Sequence, residues 1–217
     1  MSETTTAAFL SLVSGRRGHF RLESGHHGAL WLDLDPLFAD PRRIEPFVTA
    51  LASALRPHAP QAVCGPLLGG AFLAQLVARD LGAQFCFTER LPPAEGRGLY
   101  EVRYRLPPAF AARLRGQRVA VVDDVLSAGS ALRGTVAALE ACGAVPVAAG
   151  ALLVLGGVGA GALAERGIPV AAVARDAYEL WPPAACPLCA AGAPLEDAAV
   201  PAAERRPPSE RGLTTPA

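Results

Sequence analysis

Apolar positions in this chain recur with two periods, and their alternation along the sequence predicts its architecture. Phe9, Leu12 and Val13 form a short helical stripe closed by Gly15. Two alternating segments follow. Phe20 and Leu22 share one face; Leu30, Leu32 and Leu34 share another, with Trp31, Asp33 and Asp35 opposite. The turn-forming Ser24-Gly25-His26-His27-Gly28 between them makes the pair a β-ribbon. Asp40-Pro41 reads as a helix cap and first-turn proline, and Ile44, Phe47, Val48, Leu51 and Leu55 mark one face of the helix that follows.

Beyond this helix the pattern becomes apolar strand, helix, apolar strand. A short strand ends at Cys64, and after Gly65-Pro66-Leu67-Leu68-Gly69-Gly70 a helix carries Leu73, Leu76, Val77 and Leu81 as far as Gly82. Gln84 to Thr88 is a strand, whereas Arg90 to Pro108 is polar, arginine-bearing and long for a plain connection, the kind of segment that often carries function. Arg118 to Val122 is another strand, followed by Asp123-Asp124, a loop of small residues, and a helix bearing Leu132, Val136 and Leu139. Val145 to Leu155, a Gly-rich turn, a short helix and Val170 to Ala174 complete the series. Strands apolar throughout and alternating with helices predict an α/β fold with a parallel sheet covered on both faces. The expected organisation is a small N-terminal hood of helix and β-ribbon over about 1–40, a core over about 41–180, a cysteine-bearing tail over 181–197, and a Pro/Ala-rich, disordered 198–217.

Composition narrows the chemistry. Twenty basic and twenty acidic residues balance, which argues against a nucleic-acid or anionic-membrane surface. Every basic residue is an arginine, so Schiff-base or general-base lysine chemistry is excluded and each cationic role falls to a guanidinium. No apolar run approaches membrane-span length, and the opening residues lack a basic head and an export cleavage pattern, so a cytoplasmic location is expected. The five cysteines, at 64, 86, 142, 186 and 189, form no disulfide framework. Cys64, Cys86 and Cys142 sit in apolar contexts and read as packing. Cys186 and Cys189 have ligand spacing, but a zinc site needs four donors and this pair supplies two. A site shared across a dimer is one option, and no directly bound metal is the preferred expectation.

The most informative segment is Val121-Val122-Asp123-Asp124-Val125-Leu126-Ser127-Ala128-Gly129-Ser130. In open parallel sheets ligands sit at the carboxyl ends of strands. A small-residue loop opening onto a helix offers backbone N–H groups and hydroxyls to a phosphate. Two adjacent carboxylates would repel that phosphate, but they can accept hydrogen bonds from sugar hydroxyls beside it. A ribose 5-phosphate satisfies both halves.

This segment resembles the signature with which type I phosphoribosyltransferases bind 5-phosphoribosyl-1-pyrophosphate (PRPP). The resemblance implies that Asp123 and Asp124 hold the ribose 2′- and 3′-hydroxyls. The loop from Val125 and Leu126 through Ser127, Ala128, Gly129 and Ser130 would wrap the 5-phosphate, with Ser127-Ala128 where the family usually has two threonines. Gly65-Pro66-Leu67-Leu68-Gly69-Gly70 is similar to the family's pyrophosphate loop, and lacks the Lys-Ser/Thr of a Walker A loop. The segments His19 to Gly25 and Trp31 to Asp35 resemble the hood of orotate phosphoribosyltransferases, and Cys186 to Leu195 resembles the tail of some bacterial members.

The implied fold is that of a type I phosphoribosyltransferase. The implied activity replaces pyrophosphate on PRPP with a ring nitrogen of a pyrimidine-like base, with Mg2+ bound through PRPP as the cofactor and a homodimer as the assembly. Arg90, Arg97, Arg103 and Arg105 are candidates for a loop closing over the diphosphate. Glu23, Ser24, His26 and His27 are candidates for contacting the base. Glu23 stands where the family has a base-binding lysine, the lysines of its mobile loop are absent, and Leu155-Gly156-Gly157-Val158-Gly159 replaces an arginine that grips the orotate carboxylate. Two further readings remain open at this point: a non-catalytic PRPP-sensing regulator on the same fold, and an unrelated receiver-like α/β protein whose Asp pair holds magnesium.

Overall fold

The computed structural model describes residues 3–22, 24–92 and 102–197. Its centre is a six-stranded sheet in the order β5-β4-β3-β6-β7-β8, built from β3 (Ala62–Pro66), β4 (Gln84–Arg90), β5 (Tyr104–Arg105), β6 (Arg118–Leu126), β7 (Val145–Leu155) and β8 (Val170–Asp176). All neighbours are parallel except β5, which runs antiparallel to β4.

Both faces of the central strands β3, β6 and β7 are largely buried, which is why these read as mainly apolar runs. On β6, Ala120 and Val122 face one core with Val48, Leu51, Leu73 and Val77. Val119 and Val121 face the other, with Leu132, Val136, Leu139 and Leu163. The first core is closed by α2 (Pro41–Leu55) and α3 (Gly69–Leu81), the second by α5 (Ser130–Ala141) and α6 (Val158–Ala164), with α4 (Pro108–Leu114) adding Leu114. The Asp40 carboxylate accepts the Arg42 N–H at 3.1 Å, the expected cap for α2. Gly82 ends α3 in the left-handed conformation, with φ 66°.

The strand order carries the functional consequence. From β3 the chain moves to β4 on one side, and from β6 it moves to β7 on the other, so the helices after β3 and β6 lie on opposite faces. A crevice opens where the order reverses, at the carboxyl ends of β3 and β6.

A four-stranded sheet, β10-β1-β2-β9, forms the hood. It joins β1 (Ser14–Arg21) and β2 (His27–Asp33) to β9 (Leu180–Trp181) and β10 (Glu196–Asp197), with α7 (Pro187–Ala190) between the last two. The tail segment is therefore structured through Asp197, and 198–217 lies outside the described residues. Among the described residues no helix is long and apolar enough to cross a membrane.

Three boundaries differ from the sequence expectation. The first helix, α1 (Glu3–Leu10), stops before Leu12 and Val13, and Gly15 lies inside β1, opposite Leu32. Pairing with β2 extends this strand backwards through Arg16 and Arg17, which local periodicity could not foresee. Likewise β6 continues through the Asp pair to Leu126, because the long β7 offers partners to Val125 and Leu126 at Leu153 and Val154. The Gly65–Gly70 segment contributes its first two residues to β3 and its last two to α3, leaving only Leu67 and Leu68 as turn.

The hydroxyls of Thr88 on β4 and Thr135 on α5 are both fully buried and 2.8 Å apart. Thr135→Val keeps the shape and removes one partner, and is expected to cost about 1–2 kcal/mol. A lower urea midpoint with an unchanged m-value is the expected reading.

Candidate active site

A cleft of about 300 Å³ occupies the crevice at the reversal of strand order. The end of β3 and the start of α3 form one wall through Pro66, Leu67, Leu68, Gly69 and Gly70. The end of β6 and the start of α5 form the other, through Asp123 to Ser127 and Gly129 to Leu132. Leu22, Ser24 and Leu34 of the hood and Tyr104 of β5 complete the lining.

The Asp pair and the glycine pair face one another. Asp123 is 9% exposed and its Oδ1 accepts the Asp124 N–H at 3.1 Å; Asp124 is half-buried and its Oδ1 accepts the Val125 N–H at 2.8 Å. A Cβ at Gly69 would fall on the Asp124 carboxylate, and one at Gly70 would lie 2.8 Å from Asp123 Oδ1. The two loops thus close on each other only because one of them has no side chains at the contact. Gly129 caps α5 with φ 75°, and its Cα–H direction faces Gly159, whose Cα would be 2.9 Å from an added methyl. The first residues of α5, Ser130, Ala131 and Leu132, whose N–H groups have no helical carbonyl partner, line the cleft together with the half-buried Ser127.

Among the described lining residues the only charged side chains are Asp123 and Asp124. An anion in this cleft would meet backbone N–H groups, two serine hydroxyls and the positive end of α5, while the carboxylates could accept from hydroxyl donors. Ala128, which stands at one of the family's threonine positions, is 2% exposed and does not line the cleft.

Residues 42–173 match the family model of the phosphoribosyl transferase domain. The chain belongs to the phosphoribosyltransferase family. The orotate phosphoribosyltransferase of Thermus thermophilus is 33% identical over 180 residues, covering 83% of this chain and 91% of that protein. Among solved structures, the orotate phosphoribosyltransferase of Aeropyrum pernix superposes with a TM-score of 0.58 at 24% identity, covering 74% of this chain and 87% of the other. The adenine phosphoribosyltransferase of Rhodothermus marinus superposes with a TM-score of 0.62 at 19% identity, covering 81% and 100%. The α/β fold expected from the sequence is therefore that of the family, and the chain is a phosphoribosyltransferase enzyme.

Within the phosphoribosyltransferase cleft the structure brings together both predicted loops, the Asp pair and Ser24. It does not bring in Arg90, Arg103 or Arg105. Arg105 is exposed and its guanidinium pairs with Glu89 at 2.9 Å. Arg103 is exposed, and its carbonyl accepts the Leu91 N–H; Arg90 lies opposite Tyr104 in the β4–β5 pair. None of these three lines the cleft, whereas Tyr104 between them is buried and does. Alternation along a strand puts Tyr104 on the opposite face from its neighbours. Arg97 and Glu23 lie outside the described residues.

The hood histidines also divide differently from expectation. Neither His26 nor His27 lines the cleft. His26 N–H and Nδ1 lie 3.4 and 3.2 Å from Ser24 Oγ, holding the hydroxyl that does. His27 is buried against His19, Cys186 and Cys189. Burial first, then electrostatic interaction with His19, Arg21 and His26, lowers its pKa and favours the neutral imidazole.

Tyr104, Leu22 and Leu34 went unrecognised as cleft residues, and His19 as a partner of His27. Tyr104 had one usable signal, an aromatic residue within a polar stretch. Leu22 and Leu34 had none, because their place over the cleft depends on how the hood sits.

Proposed function

We propose that this phosphoribosyltransferase moves the 5-phosphoribosyl group of PRPP to a ring nitrogen of a pyrimidine base, orotate being the first candidate, and releases pyrophosphate. The observation that carries the reading is the paired carboxylates of Asp123 and Asp124, set against a glycine turn and the open N-terminus of α5 at the reversal of strand order. Orotate is named because relatives over most of the chain length are orotate phosphoribosyltransferases.

In this reading the α5 N-terminus, Ser127 and Ser130 bind the 5-phosphate. Asp123 and Asp124 accept the ribose hydroxyls, and the Leu67-Leu68-Gly69-Gly70 backbone faces the diphosphate. The base nitrogen forms its bond to the anomeric carbon as the C–O bond to diphosphate breaks; the diphosphate leaves with the electron pair, and the N–H proton of the base passes to the diphosphate or to water. The carboxylate oxygens stabilise the positive charge that builds on the ribose ring. Two carboxylates in the cleft fit a hard, oxygen-seeking cation held mainly by the substrate. Mg2+ bound there through PRPP would neutralise charge on the leaving diphosphate. In this reading Ser24, Leu22 and Leu34 of the hood, which line the cleft, cover the base.

The test is pyrophosphate release from PRPP and Mg2+ with orotate, uracil, purine bases and nicotinate supplied singly. Release with orotate is expected. Release with a purine alone would overturn the pyrimidine assignment.

A further inference from the structure

Four potential ligands from three separate parts of the chain meet at one point in the hood. His19 comes from β1, His27 from β2, and Cys186 and Cys189 from the ends of one turn of α7; their donor atoms all lie within 4.8 Å of one another. His19 Nε2 is 3.0 Å from His27 Nδ1, 3.4 Å from Cys186 Sγ and 3.6 Å from Cys189 Sγ. Cys189 Sγ is 3.3 Å from His27 Nδ1. Around zinc, with Zn–N of about 2.0–2.1 Å and Zn–S of about 2.3 Å, a tetrahedron sets donor–donor separations at about 3.3–3.8 Å. The four contacts cluster close to that range.

The proton count points the same way. His19 Nδ1 lies 2.9 Å from the Ala193 carbonyl, which can only accept, so Nδ1 carries the proton and Nε2 presents its lone pair. That one lone pair cannot satisfy an imidazole and two thiols at once, whereas a metal ion accepts all four donors. A backbone carbonyl that fixes the second nitrogen of a ligating histidine is the usual outer support of such a site. The support is built by the same turn: Gly192, with φ 69°, closes α7 and returns the chain so that Ala193 reaches His19.

We propose that His19, His27, Cys186 and Cys189 form a tetrahedral zinc site that fastens the C-terminal segment to the hood. Two thiolates and two imidazoles are a soft donor set that selects zinc over magnesium or calcium, and four protein ligands leave no open position, so the site is structural. It would reinforce contacts that are short or exposed. The Arg16–Glu196 and Arg21–Asp197 ion pairs are 40–48% exposed at their side chains and contribute little, and β9 and β10 are two residues long. His19 and His27 also stand three residues before Leu22 and three after Ser24, the hood residues that line the cleft. Fixing both strands beside this turn would set the height of the hood over the site.

The full chain, purified under reducing conditions from zinc-supplemented cells, is expected to carry one zinc per chain by elemental analysis. Replacement by Co2+ should give the intense visible bands of tetrahedral cobalt with thiolate charge transfer. Cys189→Ser is expected to lose the metal, and Cys142→Ser, outside the cluster, to keep it. Should Cys189→Ser fail to fold, chelation of the wild type provides the second reading: loss of zinc should expose the segment around 182–197 to proteolysis. Metal-free protein that takes up neither zinc nor cobalt would overturn the proposal, whether the cluster is then a hydrogen-bonded apo site or a Cys186–Cys189 disulfide. Full zinc occupancy in Cys189→Ser would overturn it too.

Discussion

Asp124→Asn is expected to raise the Kd for PRPP about tenfold to a hundredfold while leaving the folded state intact. Asp124 Oδ1 accepts the Val125 N–H, and an asparagine carbonyl oxygen can keep that bond. What changes is the other oxygen, beside Gly69, where a charged acceptor becomes an amide donor. A ribose hydroxyl then loses a charge-assisted bond of about 1.5–3 kcal/mol. Calorimetry with PRPP and Mg2+ measures the change, and a thermal melt checks the fold. Unchanged affinity would remove the ribose-binding assignment from this residue.

The glycine turn separates two effects that a single substitution usually mixes. A methyl group at Gly65 would occupy the space of the Gly70 carbonyl, which is backbone and cannot step aside. Gly65→Ala is expected to cost about 3 kcal/mol and to lower the thermal midpoint by about 6–12 °C. At Gly69 the methyl would meet the end of the Asp124 side chain, which can rotate away at small cost to folding. Gly69→Ala should therefore melt near the wild type and lose PRPP affinity about as far as Asp124→Asn does. The double variant should be no worse than either single one, because both remove the same contact. Additive losses would mean that Gly69 acts on the diphosphate independently of Asp124.

Much of the site was legible because its chemistry lies in short contiguous segments. Asp123-Asp124 with the loop after it, and Gly65–Gly70, each combine a strand end, a turn and a helix start, so residue order carries their geometry. The arginine candidates show the limit. Arg103 and Arg105 differ from Tyr104 by one position, and one position on a strand selects which face a side chain takes. Length and polarity made the stretch a candidate and favoured its cations, whereas pairing of β5 with β4 presents its aromatic residue to the cleft.

The cysteine pair shows the limit from the other side. Counting donors along the sequence stopped at two, since His19 and His27 are about 160 residues away and eight apart, with no ligand spacing of their own. They meet because β1 and β2 pair antiparallel, and because β9 and β10 bring the C-terminal segment back onto that ribbon.

By itself, then, the sequence determined the α/β class, the alternation of strands and helices, and the two loops that line the cleft. Each depends on local periodicity, turn chemistry or contiguous spacing, which a linear chain encodes directly. Tertiary structure decided the reversal of strand order that aligns those loops, the hood residues above the cleft, and the convergence of two histidines on two cysteines. These depend on pairing between distant segments, where many registers satisfy the same local pattern and only burial of the whole core selects one.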